Sequence, residues 1–130
     1  MTRIAALVVL VLLVACGTSA PAKYAWTTVG SQGVVRMIYL DPAALNDTQF
    51  LGELVSHLTQ PGTTSQLMFF DDRAATPSAL PMSDAAMLHL RAQYNYNPNT
   101  GFEKFVFMEV SDKNTSPPTL AEVTTAIRRR

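Results

Sequence analysis

The chain has 130 residues, of which ten are Lys or Arg and ten are Asp or Glu, so its formal charge at neutral pH is zero. This balance argues against nucleic acid as a partner, because such binding needs a basic surface. The length suits one domain rather than two, and the one cysteine, Cys16, excludes an internal disulfide.

The N-terminus combines a short basic start with an apolar run that ends close to the cysteine. Arg3 is followed by an unbroken apolar stretch over residues 4–14. As a helix, this stretch is much shorter than the ~30 Å hydrocarbon core of a bilayer, so it predicts a signal peptide rather than a stable membrane span. The alternative is a short uncleaved anchor in which the cysteine has no special role.

The four residues Leu13, Val14, Ala15 and Cys16 resemble the signal of bacterial lipoproteins, and the resemblance covers residues 1–16 only. In that family a Leu stands three positions before the cysteine and a small residue directly before it. The resemblance implies that residues 1–15 are removed as the signal peptide and that acyl chains such as palmitate are attached to Cys16. The protein would then be held at the extracytoplasmic face of a cell membrane, inner or outer, because two or more acyl chains anchor firmly.

Removal of the first 15 residues leaves 115, which is enough for a hydrophobic core that does not depend on disulfides or bound metals. Residues 16–23 are mostly small and polar and predict a flexible acylated tether, after which residues 24–130 form a single small α/β domain. Residues 24–29 predict a short edge strand, and residues 30–33 a turn. We expect Trp26 to pack on the domain, the alternative being a place among lipid headgroups.

The next segment predicts a helix between two buried strands. Residues 34–40 and 66–70 are rich in large apolar side chains, as in buried strands. The helix begins at Asn46 or Asp47, continues to about residue 59, and has its apolar residues on one face. They are Leu51, Leu54, Val55 and Leu58. This order and spacing predict a βαβ unit with parallel strands and a right-handed crossover.

The remainder of the chain predicts a hairpin and a last helix. A loop over residues 74–81 leads to a brief helical turn that Ser83 or Asp84 would cap and that ends near Met87. Two alternating stretches, 88–96 and 102–110, are joined by turn residues 97–101 and predict a β-hairpin. Residues 111–118 form a loop, and a capping box at Thr119 starts a short C-terminal helix over residues 119–127. The predicted fold is a two-layer α/β arrangement with one mixed sheet of four or five strands.

The hairpin has a predicted register and a predicted binding face. If all five turn residues form the loop, Arg91 lies opposite Phe107 and His89 lies opposite Glu109. One face of the sheet then carries five side chains that could meet a partner or be covered by more chain. They are His89, Arg91, Gln93, Phe105 and Phe107.

The sharpest candidates for chemistry are Asp41, Asp71 and Asp72, because they follow two neighbouring parallel strands at their carboxyl ends. Ligands of open α/β sheets bind there, and divalent cations prefer carboxylate oxygens. Against a metal site, an Asp before Pro caps helices and an Asp pair before a loop forms turns. No Gly-rich phosphate loop, serine nucleophile elbow or zinc-ligand spacing accompanies them, so no cofactor is predicted.

Three weaker patterns have plainer interpretations. His57 with Glu53 four residues earlier is typical of a solvated helix pair. The asparagines at positions 95, 97 and 99 suggest a calcium loop, but they lack the acidic ligands and indicate a turn. Three terminal arginines, residues 128–130, suit a solvated helix end or contact with anionic lipid.

These observations predict a membrane-anchored lipoprotein whose domain binds a protein or another envelope partner without catalysing a reaction. One alternative is a divalent-metal-dependent enzyme that uses Asp41, Asp71 and Asp72. The other is an envelope assembly or scaffold protein that uses Phe105 and Phe107. The sequence does not distinguish a specific ligand, substrate or partner.

Overall fold

A computed structural model describes residues 19–108 of the chain. They form one five-stranded sheet in the order β1-β2-β3-β4-β5, with few helices. The strands are β1 (Trp26–Gln32), β2 (Val35–Leu40), β3 (Ser65–Phe70), β4 (Leu90–Asn97) and β5 (Phe102–Phe107). The helices are a 3-10 helix (Pro42–Asn46), α1 (Thr48–Leu58) and α2 (Asp84–Met87).

The sheet is mixed, as the sequence predicts. β2 and β3 pair in parallel, and the chain between them contains the 3-10 helix and α1. The other neighbours, β1 with β2, β3 with β4, and β4 with β5, are antiparallel. Because of these directions, the end of β2, the end of β3 and the starts of β1 and β4 all lie at the same end of the sheet.

Short polar side chains start each helix. The Asp41 carboxylate accepts a hydrogen bond from the Ala43 backbone N–H, and Pro42 follows as the first residue of the 3-10 helix. Asp47 accepts from the Phe50 N–H and so caps α1. Ser83 accepts from the Ala86 N–H and caps α2. Each cap satisfies a helix N–H that has no partner within the helix, which is why these helices begin where they do.

α1 packs on one face of the sheet and forms the main core with it. The predicted apolar stripe of α1 is buried, together with Phe50. Ile38 and Leu40 of β2 and Phe69 of β3 belong to the same buried cluster. Trp26 is packed against this cluster, and its ring also lies 5.7 Å from that of His57, so the expectation that Trp26 packs on the domain is confirmed.

A long loop between β3 and β4 lies across the opposite face. Met37, Met68, Phe70 and Leu90 form a second, smaller buried cluster, against which Leu80 and Met82 pack from the loop. The loop approaches so closely at Gly30 that any side chain there would overlap the Ser78 backbone. The side-chain amide oxygen of Gln32 accepts a hydrogen bond from the Leu80 N–H at 3.0 Å. The second face of the sheet is therefore partly covered by the chain itself.

The hairpin register differs from the predicted one by one residue. Asn97 belongs to β4 and pairs with Phe102, so four residues rather than five form the loop. Phe107 pairs with Ala92 instead of Arg91. Because alternate residues of a strand point to opposite faces, this shift moves every β5 side chain to the other face.

The predicted binding face is wrong for the same reason. Phe105 pairs with Tyr94 on the α1 side, where it is 2% exposed and belongs to the main core. Phe107 is partly buried against that core, with its ring centroid 4.8 Å from that of Phe105. Arg91 and Gln93 alternate with the buried Ala92 and so face the other way. Phe105 is therefore a core residue, and Phe107 lies on the same side of the sheet as Phe105 and not beside Arg91 and Gln93.

The ends of β1 and β5 differ from the predictions in other ways. β1 continues through the predicted turn to Gln32 with a bulge between Thr28 and Gly30, and the turn begins at Gly33, whose φ is +59°. The last residues of the predicted strand, 109–110, the loop over 111–118 and the C-terminal helix over 119–127 lie outside the described residues.

Candidate functional site

Asp71, the first residue after β3, is the centre of a polar cluster at one end of the sheet. Its Oδ1 lies 2.8 Å from the Nδ1 of His89, and its Oδ2 lies 2.7 Å from the Nε of Arg91. The Asp71 backbone N–H also donates to the His89 carbonyl at 3.0 Å. The three side chains are 18%, 37% and 19% exposed, so the cluster lies at the surface but is largely shielded from water.

The fold creates this cluster by pairing β3 with β4. Phe70 pairs with Leu90, and a bulge at this point leaves Arg91 as the extra residue of β4. The antiparallel arrangement therefore brings residues 89–91 beside Asp71, although 17 residues separate Asp71 from His89 in the sequence. The sequence carries no local signal for this contact, which depends on β3 and β4 being neighbours in the sheet. His89 was predicted to face Glu109, which lies outside the described residues.

The three predicted acidic candidates each bind a donor of the chain itself. Asp41 caps the 3-10 helix, and Asp71 holds His89 and Arg91. Asp72 accepts from the Ala75 N–H at 3.0 Å and so closes a turn of the long loop. Within residues 19–108, no group of three or more His, Cys, Asp and Glu side chains is placed to hold a metal ion.

The Asp71 cluster has part of the geometry of a general base. A carboxylate that holds one nitrogen of an imidazole leaves the other nitrogen for proton transfer. Such chemistry also needs a place for a substrate. Two cavities among the described residues, of about 160 and 190 Å³, are lined by other residues than Asp71, His89 and Arg91.

The larger of these cavities lies where residues 21–23 meet α1. The Lys23 ammonium is 2.6 Å from the Asp47 carboxylate, which also accepts from the Tyr24 hydroxyl at 3.2 Å. The Trp26 indole N–H donates to the Pro21 carbonyl at 2.8 Å. Residues 21–23 therefore contact the domain, although their composition predicts part of a flexible tether.

The charges of this contact are stabilised by one another. The hydrogen bond from Lys23, together with that from the Phe50 N–H, lowers the pKa of the Asp47 carboxyl from its usual value. The same hydrogen bond to Asp47 raises the pKa of the Lys23 amine. Both groups are consequently charged at neutral pH. Lys23 is well exposed, and this limits the stability that the ion pair contributes.

A second buried polar group lies on the α1 side of β4 and β5. Oε1 of Glu103 is inaccessible to solvent and has no hydrogen-bond partner within residues 19–108. Glu103 pairs with Tyr96 across the hairpin. Burial, and next the charge of Glu103, raises the pKa of the Tyr94 hydroxyl far above its usual value, so Tyr94 stays neutral.

The remaining candidates have structural roles. Among the three asparagines, the side chain of Asn97 accepts from the Asn99 N–H at 3.0 Å, which confirms a turn at the hairpin tip. Glu53 accepts a hydrogen bond from Gln49 on the surface of α1. Cys16, the predicted lipid attachment site, and the terminal arginines lie outside the described residues.

Exposed apolar side chains lie at both ends of the sheet. Met87 and Leu88, directly before the Asp71 cluster, are 55% and 73% exposed. Val34 and Phe102 lie at the opposite end and are 49% and 52% exposed. Two consecutive apolar residues beside a braced ionic cluster form the more distinctive surface, which we name the apical patch (Met87 and Leu88).

Together, the fold and these clusters define a mixed α/β domain with a polar cluster and an apolar patch at the same end of its sheet. No family model, curated protein or solved structure matches the chain. Among the described residues, no helix has the length and apolar character needed to cross a membrane.

Proposed function

We propose that this protein is a bacterial lipoprotein whose small domain binds a partner at the extracytoplasmic face of the cell membrane. Acyl chains on Cys16 would hold it there, after removal of residues 1–15. The observation that carries the proposal is the sequence Leu13, Val14, Ala15 and Cys16 at the end of a short apolar run. A single free thiol in an oxidising compartment would be reactive, and acylation removes that thiol.

The finer architecture belongs to the same proposal. It is a βαβ unit followed by a β-hairpin and a short C-terminal helix over residues 119–127, in two layers. The parallel pairing of β2 with β3 around α1 and the antiparallel pairing of β4 with β5 support its first two parts.

A binding role is favoured over catalysis by how the polar groups are used. Asp41 and Asp72 cap backbone N–H groups, and Asp71 contacts the His89 imidazole and the Arg91 guanidinium. A metal-dependent enzyme would need several of these carboxylates to be directed at one ion, whereas Asp41 and Asp72 each form a local cap and Asp71 uses both of its oxygens for His89 and Arg91. Titration of the purified protein with Mg²⁺, Mn²⁺ and Ca²⁺ tests this, because a bound ion must raise the melting temperature. A rise at millimolar metal would favour the enzyme instead.

The anchor is tested by expressing the full chain in a bacterium and measuring its intact mass after extraction in detergent. We expect a chain that starts at Cys16 and carries the added mass of acyl chains, together with incorporation of labelled palmitate. A matched control combines Cys16→Ser with Thr18→Cys, which keeps one thiol but moves it by two positions. This control should incorporate no palmitate. An unprocessed Met1 or an unmodified thiol at Cys16 would refute the lipoprotein assignment.

A further inference from the structure

One end of the sheet carries both the start of β1 and the apical patch. The Ala25 carbonyl, just before β1, accepts from the Asp41 N–H just after β2. At the same end, the Asp71 N–H after β3 donates to the His89 carbonyl before β4. Leu88, the residue before His89, is therefore located on the side of the domain where the chain enters.

The backbone that presents the apical patch is braced from two sides. Ser83 caps α2, which ends at Met87. The Arg91 guanidinium donates to the Leu88 carbonyl at 2.8 Å and is itself held by Asp71 at 2.7 Å. Exposed single apolar residues are ordinary on protein surfaces. Here two adjacent apolar side chains, Met87 and Leu88, are exposed on a backbone that the Asp71–Arg91 ion pair holds in place.

The chain length between the predicted lipid and the domain is short. Pro21, which the Trp26 indole binds, is five residues after Cys16, and five extended residues span at most about 18 Å. The width of the sheet from β1 to β4 is three strand spacings, or about 14 Å. An acylated Cys16 therefore keeps the whole end of the sheet that carries Leu88 within reach of the membrane surface.

We infer that the apical patch contacts the lipid bilayer itself, with the side chains of Met87 and Leu88 entering the interfacial region beside the acyl anchor. This inference rests on the lipid anchor proposed above. The nearby cations Lys23 and Arg91 are already paired with carboxylates. The contact is therefore apolar in origin and does not require anionic lipid.

Fluorescence quenching by lipid tests the contact in the full acylated protein. With the Cys16 sulfur acylated, Leu88→Cys introduces a single free thiol, which can carry an environment-sensitive dye. The matched control is Phe102→Cys, a half-exposed apolar position at the opposite end of the sheet, about 20 Å away along the strands. Each protein is inserted into phosphatidylcholine vesicles that contain a nitroxide-labelled lipid, after circular dichroism confirms its fold.

We expect several-fold stronger quenching at position 88 than at position 102, unchanged when anionic lipid is added. Equal quenching at both positions, or none at position 88, would overturn the inference, and the patch would then be left for a protein partner. The intact mass of each sample separates this result from failure of the anchor. An unacylated Cys16 refutes the proposed function and this inference together, whereas an acylated Cys16 without quenching at position 88 refutes the inference alone.

Discussion

Asp47 joins two parts of the molecule, and its replacement should damage both. One carboxylate oxygen accepts from the Phe50 N–H at 3.0 Å and caps α1. The other accepts from Lys23 at 2.6 Å and from Tyr24 at 3.2 Å, which fastens the entering chain to the helix. Asp47→Ala removes all three hydrogen bonds. Asp47→Asn keeps a side-chain oxygen for the cap but loses the charge.

The expected loss follows from these contacts. A helix cap of this kind contributes about 1 kcal/mol, and the Tyr24 hydrogen bond contributes about 1 kcal/mol more. The exposed Lys23 pair adds little. Asp47→Ala should therefore lower the free energy of unfolding by about 2 kcal/mol, or the melting temperature by roughly 10 °C in a domain of this size. Asp47→Asn should lose about half of that, because Asn caps helices as well as Asp but has an amide nitrogen in place of the oxygen that accepts from Tyr24.

Thermal melts followed by circular dichroism measure both variants, and their pH dependence provides a second check. The pKa of Asp47 is lower in the folded state than in the unfolded chain. Its charge therefore contributes stability at pH values above the unfolded pKa of about 3.9, and this contribution is lost as the pH falls through the folded pKa. The difference between the parent and Asp47→Asn should shrink over this acidic range. A melting temperature of Asp47→Ala within about 2 °C of the parent would contradict the reasoning.

Three further predictions concern the covered face, the core and the polar cluster. Gly30→Ala should lower the free energy of unfolding by about 1–3 kcal/mol, because its methyl group would overlap the backbone of the crossing loop. Gly33→Asn should leave it nearly unchanged, since Asn tolerates a positive φ. Urea unfolding measures both variants. Phe105→Ala should cost about 3–5 kcal/mol in the same assay, and a loss below about 1 kcal/mol would mean that Phe105 is not in the core. Asp71→Asn should lower the free energy of unfolding by about 1–3 kcal/mol. A double-mutant cycle with Arg91→Met should give a coupling energy of about 1 kcal/mol between the two side chains. A coupling energy of zero would show that the ion pair is not formed in solution.

Several local signals in the sequence were sufficient to predict elements of the fold. The Asp47 cap and the apolar stripe defined α1 to within a residue or two, and Ser83 marked the start of α2. These signals are local, because a cap and its N–H lie within three residues and a helix face repeats every three or four. Two buried strands separated by such a helix likewise indicated a mixed α/β sheet.

The hairpin shows where local information is insufficient. Its turn residues identified two strands and a loop, but loop length alone did not decide whether Asn97 belongs to the loop or to β4. A shift of one residue exchanges the two faces of a strand, and this turned Phe105 from a predicted surface residue into a core residue. Burial against α1, a contact between distant parts of the chain, determines the register.

The sequence by itself determined α1, the start of α2, most of the strand segments within residues 19–108 and the prediction of a lipid anchor at Cys16, because each depends on residues close together in the chain. Only the tertiary structure decided that Asp71 binds His89 and Arg91, because that contact requires β3 and β4 to be neighbours across a long loop. It also decided that Leu88 lies at the end of the sheet where the chain enters. Both results follow from strand order and direction, which depend on how the whole sheet buries its apolar faces.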